Sequence, residues 1–132
     1  MHEIFSSQKI DVIEIEKMLS KFKPLIKDII FLVDMSKSMS GKKIMNAVST
    51  VMKIYDVHIN EYDRVSYMLF NNKTHKIFSL RSKCTFDAYF RNIIKKLPLT
   101  EGSTFLAEAL HEAIKEFEEN PFLMNQTCKE LK

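Results

Sequence analysis

The sequence predicts an α/β fold, in which a short open sheet is covered by helices on both faces. Residues 28–34 form a continuous apolar run, which is typical of a strand buried on both sides in a parallel sheet. One segment with helical spacing of apolar residues follows this run, and two more follow a predicted pair of strands. Polar residues come directly after the first strand, where α/β proteins bind ligands.

The composition indicates one globular domain, and its charge does not indicate a nucleic-acid partner. The 132 residues are 45% hydrophobic and 28% charged, and the net charge of +3 is too small to indicate nucleic-acid binding. No stretch has the length of a membrane span, and the N-terminus does not resemble a secretory signal. We therefore expect a cytoplasmic protein without a membrane partner, in which Cys84 and Cys128 stay reduced.

Residues 1–26 are predicted to be an N-terminal helical extension or a linker, and residues 27–132 the domain. In the first segment Ile15, Met18, Leu19 and Phe22 recur at helical spacing, and Pro24 ends the pattern.

The domain begins with the predicted strand "DIIFLVD" at 28–34. An amphipathic helix follows, with Ile44, Val48, Val51 and Tyr55 on its apolar face. Residues 63–72 and 74–80 then predict a hairpin, whose polar second strand suits the edge of a sheet.

Two more helices complete the pattern. One is predicted over residues 85–96 and ends before Pro98. The other has an apolar stripe from Leu106 to Phe117, with Ser103 or Thr104 at the N-cap.

The first strand ends in a D-x-S-x-S motif made by Asp34, Ser36 and Ser38. A carboxylate and two hydroxyls at alternate positions of one tight loop are suitable ligands for a hard cation such as Mg²⁺. Thr104 would add a third hydroxyl, and the only two glycines of the chain lie in these two loops. The alternative is a plain turn and helix N-cap, since Asp and Ser favour both.

With these motifs the sequence resembles the von Willebrand factor A domain family over roughly residues 26 to 120. The segment "DIIFLVDMSKSMSGKKI" is similar to the first strand and metal-ion-dependent adhesion site (MIDAS) loop of that family. The segment "DRVSYMLFNNKTHKIFSL" is similar to its second and third strands, and "LTEGSTFLAEALHEAI" to its later threonine loop.

The resemblance implies a Rossmann-like open sheet and a protein-binding, non-enzymatic function. It implies that Mg²⁺ or Mn²⁺ is bound and that a partner's Asp or Glu carboxylate completes the coordination. The metal positions that carry over are Asp34, Ser36, Ser38 and Thr104. Lys37 and Ser103, in the same two loops, are candidate partner-binding residues, because a lysine there would attract an acidic partner.

The chain departs from the family after residue 120. In the family the next strand lies beside the first one and ends in an aspartate, usually in a T-D-G turn, whereas this sequence ends with "NQTCKELK". We therefore expect a domain that is truncated, or incomplete at its C-terminal side, with residues 28–34 as an apolar sheet edge open to self-association or another chain. A metal-free structural or assembly module is the alternative function.

Catalytic patterns are not supported by the sequence. A phosphotransferase with Asp34 as nucleophile would need a second acid two residues later, where Ser36 stands. Two glycines cannot form a glycine-rich phosphate loop.

Overall fold

The computed structural model describes residues 26–122. Residues 1–25 and 123–132 lie outside this range, so the predicted N-terminal helix and the predicted domain boundary stay predictions. Within the described range, no helix is both long and apolar enough to cross a membrane.

Three strands form one mixed sheet in the order β1-β2-β3. They are β1 (Asp28–Asp34), β2 (Arg64–Phe70) and β3 (Thr74–Ser82). Strand β1 runs parallel to β2, and β3 runs antiparallel to β2 as the second half of a hairpin. The predicted strands are thus confirmed, and among the described residues β1 and β3 are the two edges of the sheet.

Helices α1 (Lys42–His58) and α2 (Lys83–Ile94) pack on one face of the sheet. The predicted apolar face of α1 is buried against β1 and β2, as the spacing of Ile44 and Val48 requires. At the centre of this core the ring of Phe90 stacks on Tyr55 at 4.1 Å between centroids and meets Tyr67 edge-on at 6.2 Å. Burial of such large rings adds a large apolar contribution to stability on this face.

Helix α3 (Leu106–Glu119) lies on the opposite face. Successive strand residues point to opposite sides of a sheet. Tyr67 belongs to the core beneath α1 and α2, whereas its neighbour Met68 lies against Glu112 and Glu116 of α3. The prediction of an α/β sheet with helices on both faces is therefore confirmed.

Glu116 joins α3 to β3 through a buried carboxylate, which is 3% exposed. It accepts hydrogen bonds from the Leu80 backbone N–H at 2.9 Å and from the Lys76 ammonium at 2.8 Å. The side-chain amide of Asn120 donates to it at 3.1 Å. Since an unpaired buried charge is costly, these three donors make the charge of Glu116 tolerable and fix the position of α3 on the sheet.

The expectation for one cysteine is wrong. Cys84, in the first turn of α2, is disulfide-bonded, and the described residues contain no free cysteine. Cys128 lies outside the described residues. The sequence offered no CxxC or other local spacing that would have indicated a bond.

Candidate metal and partner-binding site

Asp34 lies at the carboxyl end of β1, where the chain leaves the sheet. It is in register with Phe70, the last residue of β2, and the next backbone N–H, that of Met35, donates to the Phe70 carbonyl at 2.7 Å. The Asp34 side chain is half-buried. The parallel pairing thus fixes its backbone at the edge of the sheet where α/β proteins bind ligands.

The residues after Asp34 fold back toward its carboxylate in a tight turn. Asp34 Oδ1 accepts a hydrogen bond from the Ser36 backbone N–H at 2.8 Å, which closes an Asx-type turn. Ser36 Oγ and Ser38 Oγ are 3.1 Å apart, and Ser36 is 1% exposed. A short 3₁₀ turn, Lys37–Met39, separates this loop from α1.

Neither serine of the motif caps a helix with its side chain. Helix α1 starts after Gly41, whose φ of 79° places it in the left-handed region. Ser36 precedes the 3₁₀ turn, but its hydroxyl makes no capping hydrogen bond there. The geometry therefore does not show these two hydroxyls as helix N-caps.

The second loop, residues 100–105, is tied to the first by backbone hydrogen bonds. The Glu101 N–H donates to the Met35 carbonyl at 3.0 Å, and the Lys37 N–H donates to the Gly102 carbonyl at 2.9 Å. Gly102 has a φ of 81°, and a Cβ added to it would run into the Asn72 side chain. This glycine is needed both for its backbone conformation and for the close approach of the β2–β3 turn.

Thr104 completes the cluster from the second loop. Its Oγ1 donates to Asp34 Oδ2 at 3.4 Å, a long hydrogen bond. The four predicted metal positions thus form one chain of contacts, in which Ser36 and Thr104 bond to Asp34 and Ser38 bonds to Ser36.

The expectation that Ser103 or Thr104 would be the N-cap of the last helix is wrong. The cap position of α3 is occupied by Phe105, which makes no side-chain capping bond. The Phe105 N–H instead donates to the Asn71 carbonyl at 3.0 Å, which holds the chain extended for one residue longer. That leaves the Thr104 hydroxyl beside Asp34 and not over the helix N-terminus.

Asn71 is the residue of this site that the sequence interpretation missed. It is buried at the end of β2 and its side-chain amide donates to the Glu101 carbonyl at 3.0 Å. Its Oδ1 accepts from the Lys73 N–H at 3.0 Å. The pair Asn71-Asn72 reads only as a turn in the sequence, since nothing local shows that the Thr104 loop lies above it.

The two candidate partner-binding residues lie at the rim. Lys37 and Ser103 are both exposed, one in each of the two loops. The backbone bond from Lys37 to Gly102 holds these loops next to each other.

The oxygen atoms of this site are the kind of ligand that a hard dication prefers, but together they carry only one negative charge. It consists of oxygen atoms only, one carboxylate and three hydroxyls, as Mg²⁺ and Mn²⁺ prefer. Among residues 26–122 there is no group of three or more His, Cys, Asp or Glu side chains that would bind a metal. A dication here would retain several waters and an open position for a further anionic ligand.

A family model described as the von Willebrand factor type A domain matches residues 28–122. No match was found among curated protein sequences. The matched range contains both loops of the site and all the described strands and helices.

Several solved structures have the same fold at low sequence identity. A von Willebrand factor type A protein from Catenulispora acidiphila is 18% identical with a TM-score of 0.63, over 73% of this chain and 24% of that one. BatB from Bacteroides thetaiotaomicron is 17% identical with a TM-score of 0.61, over 75% of this chain and 48% of that one. The type V pili tip protein Mfa5 from Porphyromonas gingivalis is 16% identical with a TM-score of 0.59, over 73% of this chain and 18% of that one. The chain thus spans less than half the length of each of these structures, and the likeness concerns the fold alone.

Proposed function

Because this chain belongs to the von Willebrand factor type A domain family, we propose that it binds a protein partner through a divalent metal ion held by its D-x-S-x-S loop and Thr104. Domains of this family typically serve adhesion or protein interaction and are generally not catalytic. The metal would be Mg²⁺ or Mn²⁺, and its ligands would be Asp34, Ser36, Ser38 and Thr104, directly or through water.

The observation that carries this proposal is the convergence of the two loops on Asp34. The Thr104 hydroxyl of the second loop and the Ser36 backbone N–H of the first loop both donate to the Asp34 carboxylate, and the Ser36 and Ser38 hydroxyls contact each other. Neither Ser36 nor Thr104 caps a helix with its side chain. Turn formation alone would require the Asx turn at Asp34 but not the distant threonine hydroxyl.

The partner would supply an Asp or Glu carboxylate to the metal. A bound dication would attract such a carboxylate as a ligand, because the proposed ligand set includes only one carboxylate, that of Asp34. The exposed Lys37 would add a positive charge at the rim, which favours approach of an acidic surface and raises the association rate more than the final affinity.

A Mn²⁺ titration of three proteins tests the metal site. We expect the wild type to show saturable binding and Asp34→Ala to lose it. Thr50→Ala is the control, because the Thr50 hydroxyl lies on α1, outside both loops, and donates to the Asn46 carbonyl at 2.8 Å. Equal responses from the wild type and Asp34→Ala would remove the metal from the proposal.

A metal-free assembly module is the second candidate function. It is favoured by the fact that both oxygens of Asp34 already accept hydrogen bonds from the protein. A polar cluster satisfied in this way is stable without an ion. The two functions differ in the effect of a chelator, because partner binding through a metal is lost in EDTA, whereas binding by a metal-free module is not.

A further inference from the structure

A cleft of about 240 Å³ opens between the sheet and the C-terminal end of α2. Its walls are mostly apolar side chains from β2, from β3 and from the chain around the end of α2. They are Leu69, Ile77, Ile93, Leu97 and Pro98. Leu69, Ile77 and Ile93 pack against the core beneath α1 and α2 but are only partly buried, so the cleft leaves the edge of that core open.

Tyr67 also lines the cleft, and its hydroxyl has no hydrogen-bond partner. The residue is 1% exposed, and no acceptor or donor for its Oη lies within the described part of the chain. Burial raises the pKa of this hydroxyl to about 12, so it stays protonated at physiological pH and is able to donate a hydrogen bond. A buried hydroxyl without a partner is destabilising. A phenylalanine would make the same ring contacts with Phe78 and Phe90 without that penalty, so the hydroxyl indicates an acceptor that a ligand supplies.

Lys96 is the second polar residue of the cleft. It is exposed, and its ammonium takes part in none of the ion pairs formed by residues 26–122. An ammonium only donates hydrogen bonds, and the Tyr67 hydroxyl needs an acceptor. Oxygen atoms that carry a negative charge therefore complement both polar groups.

We propose that this cleft binds a small aromatic carboxylate. Its ring would lie among Leu69, Ile77 and Leu97, and its carboxylate would accept hydrogen bonds from the Tyr67 hydroxyl and the Lys96 ammonium. Apolar walls with a few convergent polar groups are typical of ligand pockets. An apolar cavity of about 150 Å³ accommodates one benzene molecule, so this cleft has room for a ring and a short chain.

The cleft is separate from the candidate metal site. It lies on the face of the sheet that α1 and α2 cover, and no residue of 34–38 or 100–105 lines it. A ligand held by Tyr67 and Lys96 needs no metal, so this inference does not depend on the proposed function of the Asp34 site.

Phenylacetate is a suitable probe, because it joins one ring to a carboxylate by a single methylene group. In an NMR titration of the full chain we expect saturable binding, with shifts of the methyl signals of Leu69 and Ile77. EDTA is present throughout, so that the carboxylate cannot bind through a metal at Asp34. Phenylacetamide, which has nearly the same shape without the charge, should bind several-fold more weakly.

Two substitutions test the polar groups of the cleft. Tyr67→Phe removes only the hydroxyl and should lower the affinity for phenylacetate several-fold. Lys96→Gln should also lower it several-fold. Lys95→Gln is the matched control and should leave the affinity unchanged, because Lys95 is exposed next to Lys96 but does not line the cleft.

Urea unfolding gives a second, independent measurement. Without a ligand, Tyr67→Phe should unfold at the same urea concentration as the wild type or at a higher one, because an unpaired buried hydroxyl is removed. Phenylacetate should then raise the urea midpoint of the wild type more than that of Tyr67→Phe, since a ligand stabilises the folded state in proportion to its affinity.

The absence of saturable phenylacetate binding by the wild type would overturn the proposal. Equal affinities of the wild type and Tyr67→Phe would overturn it as well. So would a clear loss of stability in ligand-free Tyr67→Phe, because the hydroxyl would then have an acceptor within the protein. Equally tight binding of phenylacetamide and phenylacetate would refute a carboxylate as the ligand.

Discussion

Thr104 Oγ1 lies 3.4 Å from Asp34 Oδ2, although the two residues are 70 positions apart in the chain. No hydrogen bond of a local turn produces this contact. It results from the parallel pairing of β1 with β2, which fixes Asp34 at the end of the sheet, and from the bonds that hold residues 100–105 above it. The candidate site is therefore a product of the tertiary fold, and its geometry can be altered from outside the cluster.

Asn71→Asp should weaken Mn²⁺ binding, although residue 71 is not one of the proposed metal ligands. The substitution keeps the acceptor for the Lys73 N–H but removes the N–H that donates to the Glu101 carbonyl, and it places two oxygens together there. The Thr104 loop would then be less well positioned. We expect a several-fold lower affinity in a Mn²⁺ titration, with Asn72→Asp in the same turn as the control. An unchanged affinity for Asn71→Asp would show that this anchor is not needed.

Gly102→Ala should destabilise the protein more than Gly41→Ala does. Both glycines have a positive φ, near 80°, so both substitutions strain the backbone. Only at Gly102 does the added Cβ also meet a neighbour, the Asn72 side chain, whereas nothing lies within 4 Å at Gly41. Urea unfolding of the two variants measures the difference. Equal losses of unfolding free energy would contradict the close approach at Gly102.

Glu116→Gln should cost about 2 kcal/mol of unfolding free energy, since a buried charged acceptor is replaced by a neutral group with one oxygen. The Lys76 ammonium donates to one carboxylate oxygen of Glu116 and the Leu80 N–H donates to the other. A glutamine has a single side-chain oxygen and cannot accept both hydrogen bonds in this arrangement. Glu118→Gln, at an exposed position of the same helix, is the control and should lie within about 0.5 kcal/mol of the wild type. Similar urea midpoints for the two variants would refute the role of Glu116 in fixing α3.

The stability contribution of Asp87 should disappear in acid. Burial alone would raise the pKa of this carboxyl, but hydrogen bonds from Tyr55 and Arg91 outweigh it and lower the pKa below the ordinary 3.8. A group with a lowered folded-state pKa stabilises the fold above its unfolded-state pKa and loses that contribution as the pH falls through the folded value. The difference in melting temperature between the wild type and Asp87→Asn should thus be constant near neutral pH and shrink below about pH 4.

Removal of the Tyr55 hydroxyl provides a second test of the lowered pKa of Asp87. Tyr55 Oη donates to Asp87 Oδ1 at 2.7 Å, so Tyr55→Phe should raise the pKa of Asp87 toward its ordinary value. The pH at which the contribution of Asp87 is lost would then move upward. A pH profile that is the same with and without the Tyr55 hydroxyl would contradict this coupling.

The sequence by itself determined the local elements of this protein. An apolar run is sufficient to indicate β1, and the spacing of Ile44 and Val48 is sufficient to indicate α1, because burial of one face imposes a period on the chain. The D-x-S-x-S motif likewise predicts a candidate site at the end of β1, since the carboxyl end of a parallel strand is where α/β proteins bind ligands.

Only the tertiary structure decided how the parts meet. The start of α3 is at Leu106, later than its capping residues suggest, because the Phe105 N–H bonds to Asn71, which a cap preference cannot foresee. The hydrogen bond from Asn71 to the Thr104 loop and the burial of the Glu116 charge could not be predicted from the sequence for the same reason. Each depends on partners at least 30 positions away, and contacts of that range follow from sheet register and helix placement and not from any local pattern.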